Sequence, residues 1–313
     1  MLMKQLIEVY DILDDSRVNG EKIKDYLLNI KQDADIVVYP LKGDRGITDM
    51  IRITVPGTKG KIKGGNASTL GVLGRLGGLG ARPERLGFVS DGDGALTVLA
   101  IAAKLLDMQT KGDYLEGDVI ISTHICPNAP TKPHHPVPFM GSPVDIAQVN
   151  KEEVNGELDA ILSVDTTKGN RIINHRGFAI SPTVKEGYIL KVSDDLLDIM
   201  QITTGELPQV FALSLQDITP YGNGIYHLNS ILQPATATDV PVVGVAITTK
   251  TAVPGCATGA SHVIDMEEAA RFILEVAKAY TKGDCHFYDK KEYDFIKETY
   301  GSMKKFQTLD GKE

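Results

Sequence analysis

Between residues 86 and 106 an apolar run, Leu86-Gly87-Phe88-Val89-Ser90, meets Asp91-Gly92-Asp93-Gly94. It then passes without a spacer into Ala95-Leu96-Thr97-Val98-Leu99-Ala100-Ile101-Ala102-Ala103-Lys104-Leu105-Leu106. The first run reads as a buried strand and the last as a long apolar helix. A strand feeding a helix through a tight turn is the unit of an α/β sheet, and ligands bind in the crevice at the carboxyl ends of such strands. Two carboxylates there, on a backbone freed by Gly92 and Gly94, can converge on one divalent cation. They can equally cap the helix, since Asp is a preferred N-cap residue and Asp-Gly a common turn.

The same alternation runs through the chain. Residues 35–39, 50–55, 118–123, 158–164 and 240–248 read as strands, the last three with continuous apolar runs. Residues 2–16, 21–31, 192–203 and 265–280 place apolar side chains at helical spacing. Continuous apolar strands alternating with helices predict an α/β fold with a mainly parallel mixed sheet and helices on both faces. No repeat or low-complexity linker divides the chain, so a single domain over residues 1–313 is expected. It has a helical prelude at 1–34 and a polar tail at 286–313, a loose helix running into disorder.

The net charge of -8 argues against a nucleic-acid surface, which needs a basic patch. Trp is absent and aromatics are only 6%, which removes a base-stacking platform. No apolar run is long enough for a membrane span, and the N-terminus lacks a signal-peptide pattern. The three cysteines, Cys126, Cys256 and Cys285, are odd in number and far apart, so they form no disulfide framework. A reducing, cytoplasmic location is expected. The expected partners are a small-molecule substrate and further copies of the same chain in a homo-oligomer, because the glycine-rich passage from Pro56 to Gly80 needs covering.

Three expected strands end in polar residues: Asp91 and Asp93, then His124, then Asp165. If those strands are parallel neighbours, these groups share one rim. Carboxylates with an imidazole suit Zn or Mn, and a bound water would become a nucleophile near neutral pH. Taken singly, each Asp reads as a cap or a turn. His262 closely precedes the last helix, where it caps that helix or reaches the rim as a further ligand or acid/base group. His134 and His135 are adjacent and point opposite ways on an extended chain, which favours solvated or substrate-facing imidazoles. His227 reads as a half-buried histidine or a cover for a site. Cys126 and Cys256 read as inert buried thiols. Arg75, Arg82 and Arg85 could bind an anionic substrate end. The passage Gly57-Thr58-Lys59-Gly60-Lys61 offers amides and lysines to a phosphate, but no phosphate-loop or dinucleotide fingerprint is present.

In this order the elements resemble the di-zinc exopeptidase superfamily of aminopeptidases and carboxypeptidases. Asp93 with the helix from Ala95 resembles the segment carrying its metal-bridging Asp. Gly117-Asp118-Val119-Ile120-Ile121-Ser122-Thr123 is similar to its next strand, and Leu162-Ser163-Val164-Asp165-Thr166-Thr167 to its acidic-ligand strand. Val242–Ile247 and Val263–Arg271 are similar to its last strand and C-terminal helix. The resemblance implies a phosphorylase/hydrolase-like, zinc exopeptidase-like core. Pro127 and Asn128 stand where that superfamily carries paired glutamates, and a gapless match sets Thr258 at its terminal histidine ligand. The chain as a whole also resembles an uncharacterised prokaryotic family, the domain of unknown function 1177. Three functions are thus expected in competition. The first is a metal-dependent hydrolase of a small amide or peptide-like substrate using Asp91, Asp93, His124 and Asp165, with His262 assisting. The second is a non-catalytic small-molecule-binding or regulatory protein on the same fold. The third is a phosphate-handling enzyme using the glycine-rich passage.

Overall fold

The computed structural model describes residues 2–75, 79–82, 87–133, 139–154, 156–213, 230–253 and 260–307. Helices α1 (Met3–Leu13) and α2 (Gly20–Ile30) precede the antiparallel pair β1 (Asp35–Gly43) and β2 (Gly46–Val55). Then come β3 (Leu70–Gly74), the short β4 (Ala81–Arg82), α3 (Asp93–Thr110), β5 (Val119–Ile125), the short β6 (Ala129–Lys132) and β7 (Phe139–Met140), and α4 (Ile146–Glu153). They are followed by β8 (Ala160–Thr166), β9 (Gly177–Ile180), β10 (Val184–Lys185), β11 (Tyr188–Ile189), α5 (Asp194–Thr204), β12 (Val242–Thr248), α6 (Val263–Lys282) and α7 (Lys290–Tyr300). The fold is α/β, with a nine-stranded mixed sheet in the order β1-β2-β5-β3-β8-β12-β10-β11, and β9 also pairs with β12. Its centre, β5-β3-β8-β12, is parallel, and β2, β9 and β10 flank it antiparallel.

β5, β8 and β12 form where their apolar runs predict, because strands buried on both faces need apolar residues at every position. Period-two alternation divides their side chains. Val72, Ile121, Leu162, Val164 and Val245 face α1, α2, α3 and α6 in the main core. Leu73, Ile120, Ile161 and Ala246 face the other way, onto Val154, Leu158 and the 3-10 turn Ser230–Thr236. The two helices that precede the sheet pack into its main core, where Leu6, Val9, Ile23 and Leu27 are buried. The C-terminal segment forms a regular helix, α7, capped by Asp289 and anchored where Tyr293 meets Tyr188 edge-on. Residues 308–313 lie outside the described residues. Among the described residues no helix is long and apolar enough to cross a membrane.

One expected strand is displaced. Residues 87–89 form no strand; the strand of the main sheet that precedes α3 is β3, inside the glycine-rich passage, with the short β4 between them. The reason is close approach. A Cβ on Gly74 would lie 2.6 Å from the Val98 side chain and 3.0 Å from the Ala95 Cα. A Cβ on Gly94 would lie 2.6 Å from the Val164 carbonyl oxygen. The missing side chains let the first turn of α3 rest directly on β3 and β8. Gly94→Ala is therefore expected to push this turn off the sheet and cost about 1–3 kcal/mol. A lowered urea midpoint checks this, and an unchanged midpoint would show that the turn can withdraw freely.

Candidate functional site

β3 has β5 on one side and β8 on the other. The chain leaves β3 through α3 on one face and reaches β8 through α4, which packs with the 3-10 turn on the opposite face. Such a reversal opens a crevice at the carboxyl ends of β3 and β8, the general ligand position of open α/β sheets. Two buried ion pairs flank that rim, one on each face of the sheet.

On the α3 face, Asp93 is the first residue of its helix and is fully buried. The helix N-terminus favours a carboxylate, yet the side chain makes no cap, and Gly92 holds the N-cap position. Instead Asp93 Oδ2 accepts from Lys168 Nζ at 3.1 Å, and Oδ1 accepts a hydrogen bond from the Ser261 hydroxyl. Lys168 follows the end of β8 and is itself buried along its side chain. Burial pushes the Asp93 pKa up, against the pull of the Lys168 charge and the Ser261 bond. The Thr166 hydroxyl donates to the Ser90 carbonyl at 2.8 Å and ties the end of β8 to the turn before α3.

On the α4 face lies a row of buried polar groups. Arg75 follows β3 and extends its register, its N–H donating to the Val164 carbonyl at 2.8 Å. His124 is the penultimate residue of β5 and Asp165 that of β8, so Arg75 stands between them in the sheet. Arg75 is ion-paired with Glu153 of α4, and both are buried. Burial lifts the Glu153 pKa while Arg75 opposes it. Asp165 Oδ1 accepts from the Thr166 N–H at 2.7 Å. His124 Nδ1 lies 2.8 Å from Thr48 Oγ1, which also bonds the Ile125 carbonyl at 3.1 Å. A carbonyl only accepts, so the Thr48 hydroxyl spends its proton there and receives one from Nδ1–H. This assigns Nε2 as the acceptor nitrogen. Burial, reinforced by the Arg75 charge, lowers the His124 pKa to about 3, so the imidazole is neutral at physiological pH.

The sheet therefore sets His124 and Asp165 on one face and Asp93 on the other. Asp91 is half-buried in the 3-10 turn Ser90–Gly92. His262 has an exposed side chain and makes no cap bond; its Nδ1 lies 3.3 Å from Asp265 Oδ2, and Arg176 holds the other oxygen. Its neighbour Ser261 bonds Asp93 instead. Among the described residues no group of three or more His, Cys, Asp or Glu could hold a metal ion. At Asp93 the reason is visible: an ammonium and a hydroxyl already take both carboxylate oxygens. At His124 the neighbouring Arg75 is a cation. As they stand, these residues do not fit a divalent centre. Cys126 is buried and its thiol pKa is pushed up by burial. His134, His135, His227, Cys256, Thr258 and Arg85 lie outside the described residues.

Lys168, Ser261 and Glu153 were not singled out from sequence. Lys168 and Ser261 are 75 and 168 residues from the carboxylate they meet. The one local signal was the position of Lys168, three residues beyond Asp165 at a strand end.

A family model described as "Protein of unknown function (DUF1177)" matches residues 40–310 of the chain. No curated protein matches it. Among solved structures, the bottromycin maturation enzyme BotP superposes with a TM-score of 0.52 at 16% identity, over 87% of this chain and 69% of that one. At that identity the likeness is one of fold.

The neutral His124 has a consequence for pH. Unfolded, an imidazole titrates near 6.5; folded, His124 titrates at about 3. Between those values the unfolded chain carries the extra proton, so stability falls as the pH drops, by at most about 1.4 kcal/mol per unit from this group. Asp93 and Glu153, raised by burial, act with the opposite sign: their contribution is lost as the pH rises through their folded pKa values. His124→Gln is expected to lose less stability than the parent from pH 6.5 down to about 4, measured by urea titration at each pH. Equal losses would mean that the folded imidazole accepts a proton.

Proposed function

We propose that this chain, which belongs to the DUF1177 family, is a hydrolase of a small amide or peptide-like substrate, with its reacting groups at the carboxyl rim of β3 and β8. The observation that carries this reading is the Asp93 carboxylate, taken wholly out of water at the start of α3 and met by Lys168 and Ser261. Ionisable groups desolvated at a ligand-binding rim are those whose proton affinities are matched to acid–base work. Burial makes Asp93 the stronger proton acceptor. The partly exposed Ser261 already directs its hydroxyl proton to it.

In this reading the Ser261 oxygen attacks the substrate carbonyl as its proton passes to Asp93. Lys168 holds the charge that grows on the carbonyl oxygen. The carbon–nitrogen bond then breaks, and the proton returns through Asp93 to the leaving amine. Water completes the cycle by releasing the acyl group from Ser261. The zinc or manganese ion expected from the sequence has no step here, because both Asp93 oxygens are engaged by the chain itself. The likeness of fold to a bottromycin maturation enzyme supports an enzymatic role.

One observation favours a non-catalytic, small-molecule-binding role instead: the Asp93–Lys168–Ser261 cluster is satisfied internally and needs no further group. A panel of aminoacyl amides and dipeptides separates the two. Hydrolysis is expected, falling about 100-fold or more in Asp93→Asn and in Ser261→Ala. Thermal stabilisation by a panel member without turnover would assign the protein to binding alone.

A further inference from the structure

We infer that the α4 side of the rim receives an ammonium group of a ligand, held by Asn150 Oδ1 and Glu153 Oε1. The two residues lie three apart on α4, so they share one face of the helix. They are 1% and 2% exposed. Among the described residues neither oxygen has a hydrogen-bond partner, although Glu153 uses its other oxygen for Arg75. Buried acceptors are almost always met by a donor, so two orphans within one turn are an unfinished site.

Its place in the fold supports this. Arg75 carries Glu153 to the carboxyl end of β3, at the point where the sheet order reverses and ligands enter. The missing partners are both donors, and one acceptor carries a carboxylate charge. A primary ammonium offers three donors, no acceptor and the complementary charge. A guanidinium is wider, and the one already present, Arg75, leaves Oε1 unmet. This deepens the reading above by giving the substrate an amine, and rests on that reading only for the bond that is cut.

The test uses amines that cannot be hydrolysed, so its failure is separate from a failure of catalysis. Ethylammonium chloride is titrated into the full chain by thermal shift and calorimetry, with tetramethylammonium chloride at equal ionic strength as the cation that lacks N–H donors. Ethylammonium is expected to raise the melting temperature and tetramethylammonium to leave it unchanged. In Asn150→Leu, binding is expected to weaken at least tenfold, while the ligand-free melting temperature holds or rises because one orphan acceptor is gone. Equal shifts from the two cations, or no shift from either, would overturn the proposal without any variant. Undiminished ethylammonium binding in Asn150→Leu would overturn it too, leaving these oxygens to a structural water.

Discussion

A carboxylate taken wholly out of water at the first residue of α3 obliges the chain to bring it a cation, and Lys168 is that cation. Desolvating two charges is costly, and their attraction offsets the cost only with good geometry and further hydrogen bonds. Ser261 supplies one such bond. Losing one partner of a buried pair leaves an uncompensated charge and typically costs about 3–5 kcal/mol. The pair therefore does more to fix one arrangement than to add stability. It joins the start of α3, the end of β8 and the segment before α6, which are remote in sequence. Gly74 and Gly94 make this junction possible, since any side chain there would hold the helix away from the strands.

The second ion pair, Arg75–Glu153, does the same on the other face, joining the end of β3 to α4. The two pairs lie on opposite sides because alternate residues of a strand point opposite ways. Leu73 and Arg75 share a face, and so do Ile161, Ser163 and Asp165, whereas Leu162, Val164 and Thr166 look toward α3. His124 falls on the Arg75 side by the same count. A rim can gather residues from both faces only above the last strand residues, and His124 and Asp165 are each one residue short of that edge.

This explains what could and could not be read from the chain. β5, β8 and β12, and the helices around Leu6, Ala100 and Phe272, were legible because burial imposes an apolar period that needs no partner to be recognised. β3 was hidden because two of its five residues, Gly71 and Gly74, have low strand propensity and were selected by close packing instead. Leu86–Ser90 had the composition of a strand, but the place beside β8 was taken by β3. At the site, His124 and Asp165 were legible as strand-end residues and Asp93 as a turn residue before a helix. Their division between two faces was not, because it depends on the register at which each strand stops. Lys168, Ser261 and Glu153 were not legible, since an ion pair across 75 or 78 residues leaves no local pattern.

The two pairs differ in one respect that bears on function. On the α3 side every oxygen of the carboxylate is met from within the chain. On the α4 side Arg75 meets one oxygen of Glu153 and leaves the other unmet among the described residues, like Asn150 Oδ1 one helical turn earlier. An apolar pair at those two positions would spare the fold two desolvated acceptors. A sequence that sets two unmet acceptors one helical turn apart does so where something other than folding sets the residues. A likeness of fold alone does not say what that is. The asymmetry does give it a direction: the satisfied pair is the rigid side of the rim, and the unsatisfied pair is the side that can still gain a bond when a donor arrives.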